Sequence, residues 1–180
     1  IVSAELGTAP MKIALLVDNS DPINTANALT SLRAGMDAFL TAIPEQHEIA
    51  LATIGQNIRW RVDFTTDRDE LRESAGEVFV VGGGGPILLD GIKETWERRF
   101  EDEEPFPIFV IVATDGAESS ANMNQNEYAD LVNELIDNGV TVHIIVLSTR
   151  GGSDVTNYGI NLTENTGGIY EVFGAGTRLA

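Results

Sequence analysis

No cysteine occurs in the 180 residues, which excludes disulfides, thiolate metal sites and cysteine nucleophiles. Histidine is nearly missing too: His47 and His143 lie far apart, which argues against a histidine-rich metal centre. Positive charge is scarce. Lys and Arg number 11 against 28 Asp and Glu, so the net charge is −17 and the pI about 4.2. Such a surface repels phosphate backbones and anionic lipid, and so argues against nucleic-acid or membrane-surface binding. No apolar run approaches the ~20 residues that a bilayer span needs, and no basic-then-apolar signal segment is visible. The chain opens at Ile1 rather than Met, which reads as a processed form. Internal repeats, low-complexity tracts and Ser/Pro-rich linkers are also lacking.

What is there suits one folded unit. Hydrophobic residues make up 43% and charged residues 22%, enough apolar material for one core and too much for a disordered chain. The length predicts a single domain over residues 1–180. Met11 to Val17 is an apolar run that stops at Asp18, and Phe106 to Ala113 is a second, closed by Thr114 and Asp115. Val140 to Leu147 is a third. Runs apolar on both faces belong to buried parallel strands. Glu48 to Ile54 and Gly168 to Phe173 read as further strands. Between Ile58 and Thr65, Ile58, Trp60, Val62 and Phe64 alternate with polar residues after the turn Gly55-Gln56-Asn57. That pattern predicts an antiparallel edge strand whose arginines, Arg59 and Arg61, blunt the edge.

Apolar spacings of three and four predict helices over Leu29–Ile43, Leu88–Phe100 and Tyr128–Ile136. Weaker helices are predicted over Asp67–Ala75 and Val155–Asn165, with a brief extended piece at Glu77–Val81 and a charged loop at Glu101–Glu104. Strands alternating with helices give an α/β fold: a six-stranded, mostly parallel sheet with one antiparallel edge strand and helices on both faces. Ligands of such sheets bind beyond the carboxyl ends of the strands, where the strand order reverses. The least ordinary residues fall at those ends: Asp18-Asn19-Ser20-Asp21-Pro22, the loop Gly82-Gly83-Gly84-Gly85, and Thr114-Asp115-Gly116. Three loops with carboxylates and hydroxyls at one edge suggest a site for a hard cation such as magnesium, which wants six oxygens at about 2.0–2.1 Å.

Taken in order, the three loops resemble the metal-ion-dependent adhesion site of von Willebrand factor type A domains. Val17-Asp18-Asn19-Ser20 matches the family's Asp-x-Ser-x-Ser loop, and Val112-Ala113-Thr114-Asp115-Gly116 matches its Thr-Asp-Gly turn. The segment from Gly83 to Ile92 resembles the Gly-rich loop that carries the family's Thr. The resemblance extends over nearly the whole chain and implies a Rossmann-like three-layer sandwich. It implies a non-catalytic adhesion or scaffolding role toward a protein partner, and a secreted or periplasmic setting.

Two positions depart from the pattern. The second Ser falls at Pro22 and the Thr at Pro86, and proline has no hydroxyl. The remaining metal candidates are Asp18, Ser20 and Asp115, with Asp21 at a spacing that is not the family's. Both prolines also read as helix starts, with Asp21 as the cap before Pro22 and Gly85 before Pro86. On that reading no metal is required, magnesium binds weakly, and the domain meets its partner without it. The surface ringed by Asn19, Asp21, Gly83, Gly84 and Glu118 is then the candidate partner site. Asp18 and Asp115 also have plain alternatives, as a loop carboxylate bonded to backbone N–H groups and as a turn after a strand.

A competing class is a magnesium-dependent phosphoryl-transfer or phosphatase-type enzyme using Asp18 and Asp115. For it Leu147-Ser148-Thr149-Arg150 supplies Arg where a Lys is wanted. Gly85-Pro86-Ile87 fits neither a Walker loop nor the dinucleotide fingerprint, and Gly-x-Ser-x-Gly is absent. His143, Trp60 and Trp96 read as core residues and His47 as a surface residue. Asn161-Leu162-Thr163 fits the N-glycosylation pattern.

Overall fold

A computed structural model describes residues 9–100, 107–120, 123–149 and 154–174. The elements run β1 (Lys12–Val17), α1 (Asp21–Thr25), α2 (Leu29–Ala42), β2 (Glu48–Thr53), β3 (Arg59–Thr65), α3 (Arg68–Gly76), α4 (Leu88–Arg99), β4 (Pro107–Thr114), α5 (Gln125–Asp137), β5 (Thr141–Ser148), α6 (Asp154–Thr166) and β6 (Tyr170–Gly174). The six strands form one sheet in the order β3-β2-β1-β4-β5-β6. All neighbours are parallel except β2 and β3. The expected α/β architecture with one antiparallel edge strand is what the chain adopts. The charged loop at Glu101–Glu104 and Arg150 lie outside the described residues.

The chain builds outward from β1 to β2 and β3, then crosses to β4 and builds outward the other way. The reversal therefore falls between β1 and β4. Right-handed crossovers send the helices of each half to opposite faces. Ala14 and Leu16 of β1 pack with Leu88, Ile92, Leu131, Leu135 and Leu162 of α4, α5 and α6. Ile13, Leu15 and Val17 pack on the other face with Ile23, Leu32, Met36, Leu40 and Leu71 of α1, α2 and α3. Burial on both faces is why β1 and β4 carry unbroken apolar runs. On the α2 side a cavity of about 470 Å³ opens over β4, β5 and β6, lined by Met36, Phe39, Val110, Val112, Ile145 and Phe173.

Several local expectations need correction. Val62 joins the α2-side core while Trp60 and Phe64 pack on the α4 side, so β3 does not keep one apolar face. Register shifts along β2–β3 flip the alternation, and such bulges also protect an open sheet edge. His47 is buried rather than on the surface: its Nδ1 accepts the Met11 N–H at 3.0 Å, tying the start of β1 to that of β2. His143 is half-buried, with Nδ1 accepting the Ile169 N–H at 3.2 Å. Burial lowers its pKa from the ordinary imidazole value. Trp60 and Trp96 do pack on the core, each part-covered, and Arg99 stacks over Trp60 at 4.4 Å. Asn161 sits within α6 and accepts the Tyr128 hydroxyl at 2.6 Å; burial pushes that hydroxyl's pKa up to about 12.

Candidate functional site

Asp18 follows the last residue of β1 and is completely buried. Its backbone N–H donates to the Val112 carbonyl at 2.7 Å, carrying the β1–β4 pairing past the end of the strand. One carboxylate oxygen accepts the Ser20 N–H at 2.7 Å. The other accepts the Thr114 N–H at 3.0 Å and the Thr114 hydroxyl at 2.6 Å. Hydrogen bonds to a charged acceptor are short and strong, and they offset the desolvation of a buried carboxylate. Asp18 is thus a latch holding the ends of β1 and β4 together across the switch point.

Asp115 follows β4 and is 8% exposed. One oxygen accepts the Thr149 N–H at 2.8 Å and its hydroxyl at 2.6 Å, and the other accepts the Ser148 hydroxyl at 3.0 Å. The Asp115 N–H donates to the Leu147 carbonyl at 3.2 Å. This second latch joins β4 to β5. The sequence reading missed Thr114, Ser148 and Thr149 as partners, although each is a hydroxyl residue at a strand end beside a candidate.

Ser20 is buried, its backbone committed to Asp18, and its hydroxyl has no hydrogen-bond partner. An orphaned buried hydroxyl marks a place for a water or an ion. Ser20 is the residue before α1, so Asp21 and Pro22 are the first helical residues and the cap lies one position earlier than the Asp21 expected. The Pro22 ring lies toward the Thr-Asp-Gly turn: a Cβ built on Gly116 would stand 3.9 Å from its Cγ. An apolar ring therefore occupies ground beside Asp115 where a hydroxyl was wanted.

The glycine loop is built by close approach. Gly85 admits no side chain, because a Cβ there would lie 1.8 Å from the Ala117 carbonyl oxygen. The helix does not begin at Pro86. The Pro86 carbonyl accepts the Ser119 N–H at 2.8 Å and the Ile87 N–H donates to the Ile54 carbonyl at 2.9 Å, which holds both residues outside the helix until α4 starts at Leu88. Glu118 and Ser120 cap that helix from the next loop. Glu118 accepts the Leu89 N–H at 3.3 Å and the Ser120 N–H at 3.0 Å, and the Ser120 hydroxyl accepts the Asp90 N–H at 2.9 Å. A carboxylate at a helix N-terminus is favoured by its partial positive charge.

Of the expected partner-binding residues, Asp21, Gly83 and Gly84 are exposed on this edge. Asn19 is not available. It is 5% exposed, donates its amide to the Phe79 carbonyl at 2.8 Å and accepts the Gly55 N–H at 3.0 Å, so it fastens the first loop to its neighbours. Glu118 is half-buried and engaged as a cap.

Magnesium needs six oxygens. The loops bring together two carboxylates already accepting hydrogen bonds and one free hydroxyl, and the two prolines add no side-chain donor. Among the described residues no group of three or more His, Asp and Glu side chains is placed to hold a metal.

An open α/β sheet with its loops gathered at the β1–β4 switch point defines the class: a Rossmann-like domain with a candidate binding edge. The von Willebrand factor type A model matches residues 12–168, and the chain belongs to that family. No curated protein matches it in sequence. Among solved structures, a von Willebrand factor type A protein from Catenulispora acidiphila superposes with a TM-score of 0.74 at 12% identity, over 92% of this chain and 39% of that one. The conserved hypothetical protein BatB from Bacteroides thetaiotaomicron gives 0.71 at 10% identity, over 91% and 90%. Proximal thread matrix protein 1 from the mussel byssus, with a zinc-occupied adhesion motif, gives 0.71 at 18% identity, over 91% and 41%. The chain thus spans about two-fifths of the first and third of these proteins. At such identities the likeness is one of fold.

Proposed function

We propose that this domain binds a protein partner without catalysis, in a secreted or periplasmic setting, through the loops at the carboxyl edge of its sheet, and that it does so without a tightly held metal. The observation that carries the reading is the fate of the oxygen donors. Pro22 and Pro86 stand where hydroxyls were wanted, and Asp18 and Asp115 spend their oxygens on Thr114, Ser148 and Thr149. Membership of a family whose domains commonly serve adhesion and protein interaction supports the partner-binding half. The zinc-occupied motif of the byssus protein is a property of that protein, and it defines the alternative to be tested. A buried Asp18 with both oxygens engaged is poorly placed for attack on a phosphate ester, which supports the absence of phosphoryl chemistry.

The test is capture of partners from source extract on the immobilised domain, in magnesium and in EDTA, beside an Asp21→Arg variant. The reading expects the same protein in both buffers and its loss with Asp21→Arg. Capture only in magnesium, no capture at all, or phosphate-ester turnover by the pure domain would each contradict it.

A further inference from the structure

Beside the first loop, the β2–β3 turn and the segment that follows α3 enclose a cavity of about 150 Å³. At about 30 Å³ per water, that is room for the end of one acidic side chain. Its lining includes Arg59, Arg61, Asn57, Gln56, Thr53 and Phe79, and no carboxylate. Both arginines also border the neighbouring groove that holds Glu70, Glu73 and Glu77, where Arg61 finds its acid, but the lining of the smaller cavity offers Arg59 none.

The other described arginines each have at least one partner, although Arg68 leaves its Nε and Nη1 buried without one. Arg72 pairs with Asp37, Arg98 with Glu94 and Arg99 with Asp63, while Arg33 and Arg68 donate to backbone carbonyls. Arg61 reaches Ser74 at 3.4 Å and Glu77 at 3.3 Å, which steadies it with its side chain 15% exposed. Among the described residues, Arg59 is the one arginine whose side chain has neither a hydrogen bond nor an ion pair. Edge protection would need only its charge, not a concave setting. Thr53, itself buried, lines the pocket too, and Phe79, 48% exposed, adds an apolar wall. The turn packs closely on its neighbours: a Cβ on Gly55 would stand 2.6 Å from the Asn19 amide oxygen, and Gln56 donates to the Gly82 carbonyl.

We infer that this pocket is a subsite for a single carboxylate, an Asp or Glu side chain of the protein partner, held by the Arg59 fork and with its aliphatic stem against Phe79. The planar guanidinium matches a carboxylate through two parallel hydrogen bonds. A net charge of −17 repels a dianion about twice as strongly as a monoanion, which favours carboxylate over phosphate. The inference rests on the partner-binding reading and names the chemistry of one contact within it.

Titration of the isotope-labelled domain, followed by amide NMR, tests it with N-acetylglutamate amide, the neutral N-acetylglutamine amide and N-acetylphosphoserine amide. Saturable shifts confined to Asn57–Arg61 and Phe79 are expected with the glutamate probe. The glutamine probe, and the glutamate probe on Arg59→Gln, should bind about tenfold or more weakly, the loss of a charge-assisted pair. No saturable shifts, equal binding by Arg59→Gln, or tighter binding of the phosphoserine probe would overturn the inference. Partner capture that survives Arg59→Gln also defeats it while leaving the partner-binding reading intact; failure of all capture defeats that reading instead.

Discussion

Replacing Asp18 by alanine separates a structural carboxylate from a metal ligand. The carboxylate is wholly buried and accepts from the Ser20 N–H, the Thr114 N–H and the Thr114 hydroxyl. Its loss leaves three donors without that partner at the buried β1–β4 junction. Each stranded buried donor costs about 1–3 kcal/mol, less whatever relaxation recovers, so the variant should lose about 3–5 kcal/mol. Domains of this kind are stable by only about 5–15 kcal/mol, and at about 2–4 °C per kcal/mol the melting point should fall by about 6–20 °C. Asp18→Asn keeps an acceptor and should recover part of the loss. Urea unfolding of all three proteins in EDTA and in magnesium is the assay. A latch predicts the same loss in both buffers. A loss below about 1 kcal/mol in EDTA that grows in magnesium would refute the reasoning, because it would give the carboxylate a metal to hold.

Two further outcomes follow from local geometry. Gly85→Ala drives a Cβ toward the Ala117 carbonyl and should cost about 2 kcal/mol or more, whereas Gly82→Ala points into open space and should stay within about 0.5 kcal/mol of the parent; equal midpoints in urea would contradict the close approach. Burial lowers the His143 pKa, so the folded chain holds fewer protons there than the unfolded chain does. That contribution is intact above the ordinary imidazole value of about 6.5 and is lost as pH falls below it. His143→Gln should therefore lose less stability than the parent between about pH 7 and about pH 5, and parallel pH profiles would count against it.

The fold was legible wherever one residue type carried one physical demand. Apolar runs ending at Asp18 and at Thr114-Asp115 marked buried strands, and a turn followed by alternation marked the antiparallel edge. Legibility ended where partners are distant in sequence. Glu118 caps α4 from 29 residues away, and Thr149 holds Asp115 from 34. Neither pairing leaves a local pattern. His47 looked exposed because polar residues flank it, yet its ring nitrogen answers a backbone N–H of Met11. The flip of Val62 came from bulges, which alternation alone does not announce. At the site, the motif spacing named Asp18, Ser20 and Asp115, while the engagement of the two carboxylates became visible only with β4 and β5 alongside.

The most direct test of the account is thermal melting in magnesium against sodium at matched ionic strength. A Pro22→Ser, Pro86→Thr double variant, which restores both hydroxyls, serves as the positive comparison. A cation at one hundred times its dissociation constant stabilises a protein by about 2.7 kcal/mol, or about 5–11 °C for a chain of this size. The account predicts melting points for the native chain that agree within about 1 °C, and a magnesium-specific rise in the double variant. A saturable, magnesium-specific rise of about 5 °C or more in the native chain would contradict it.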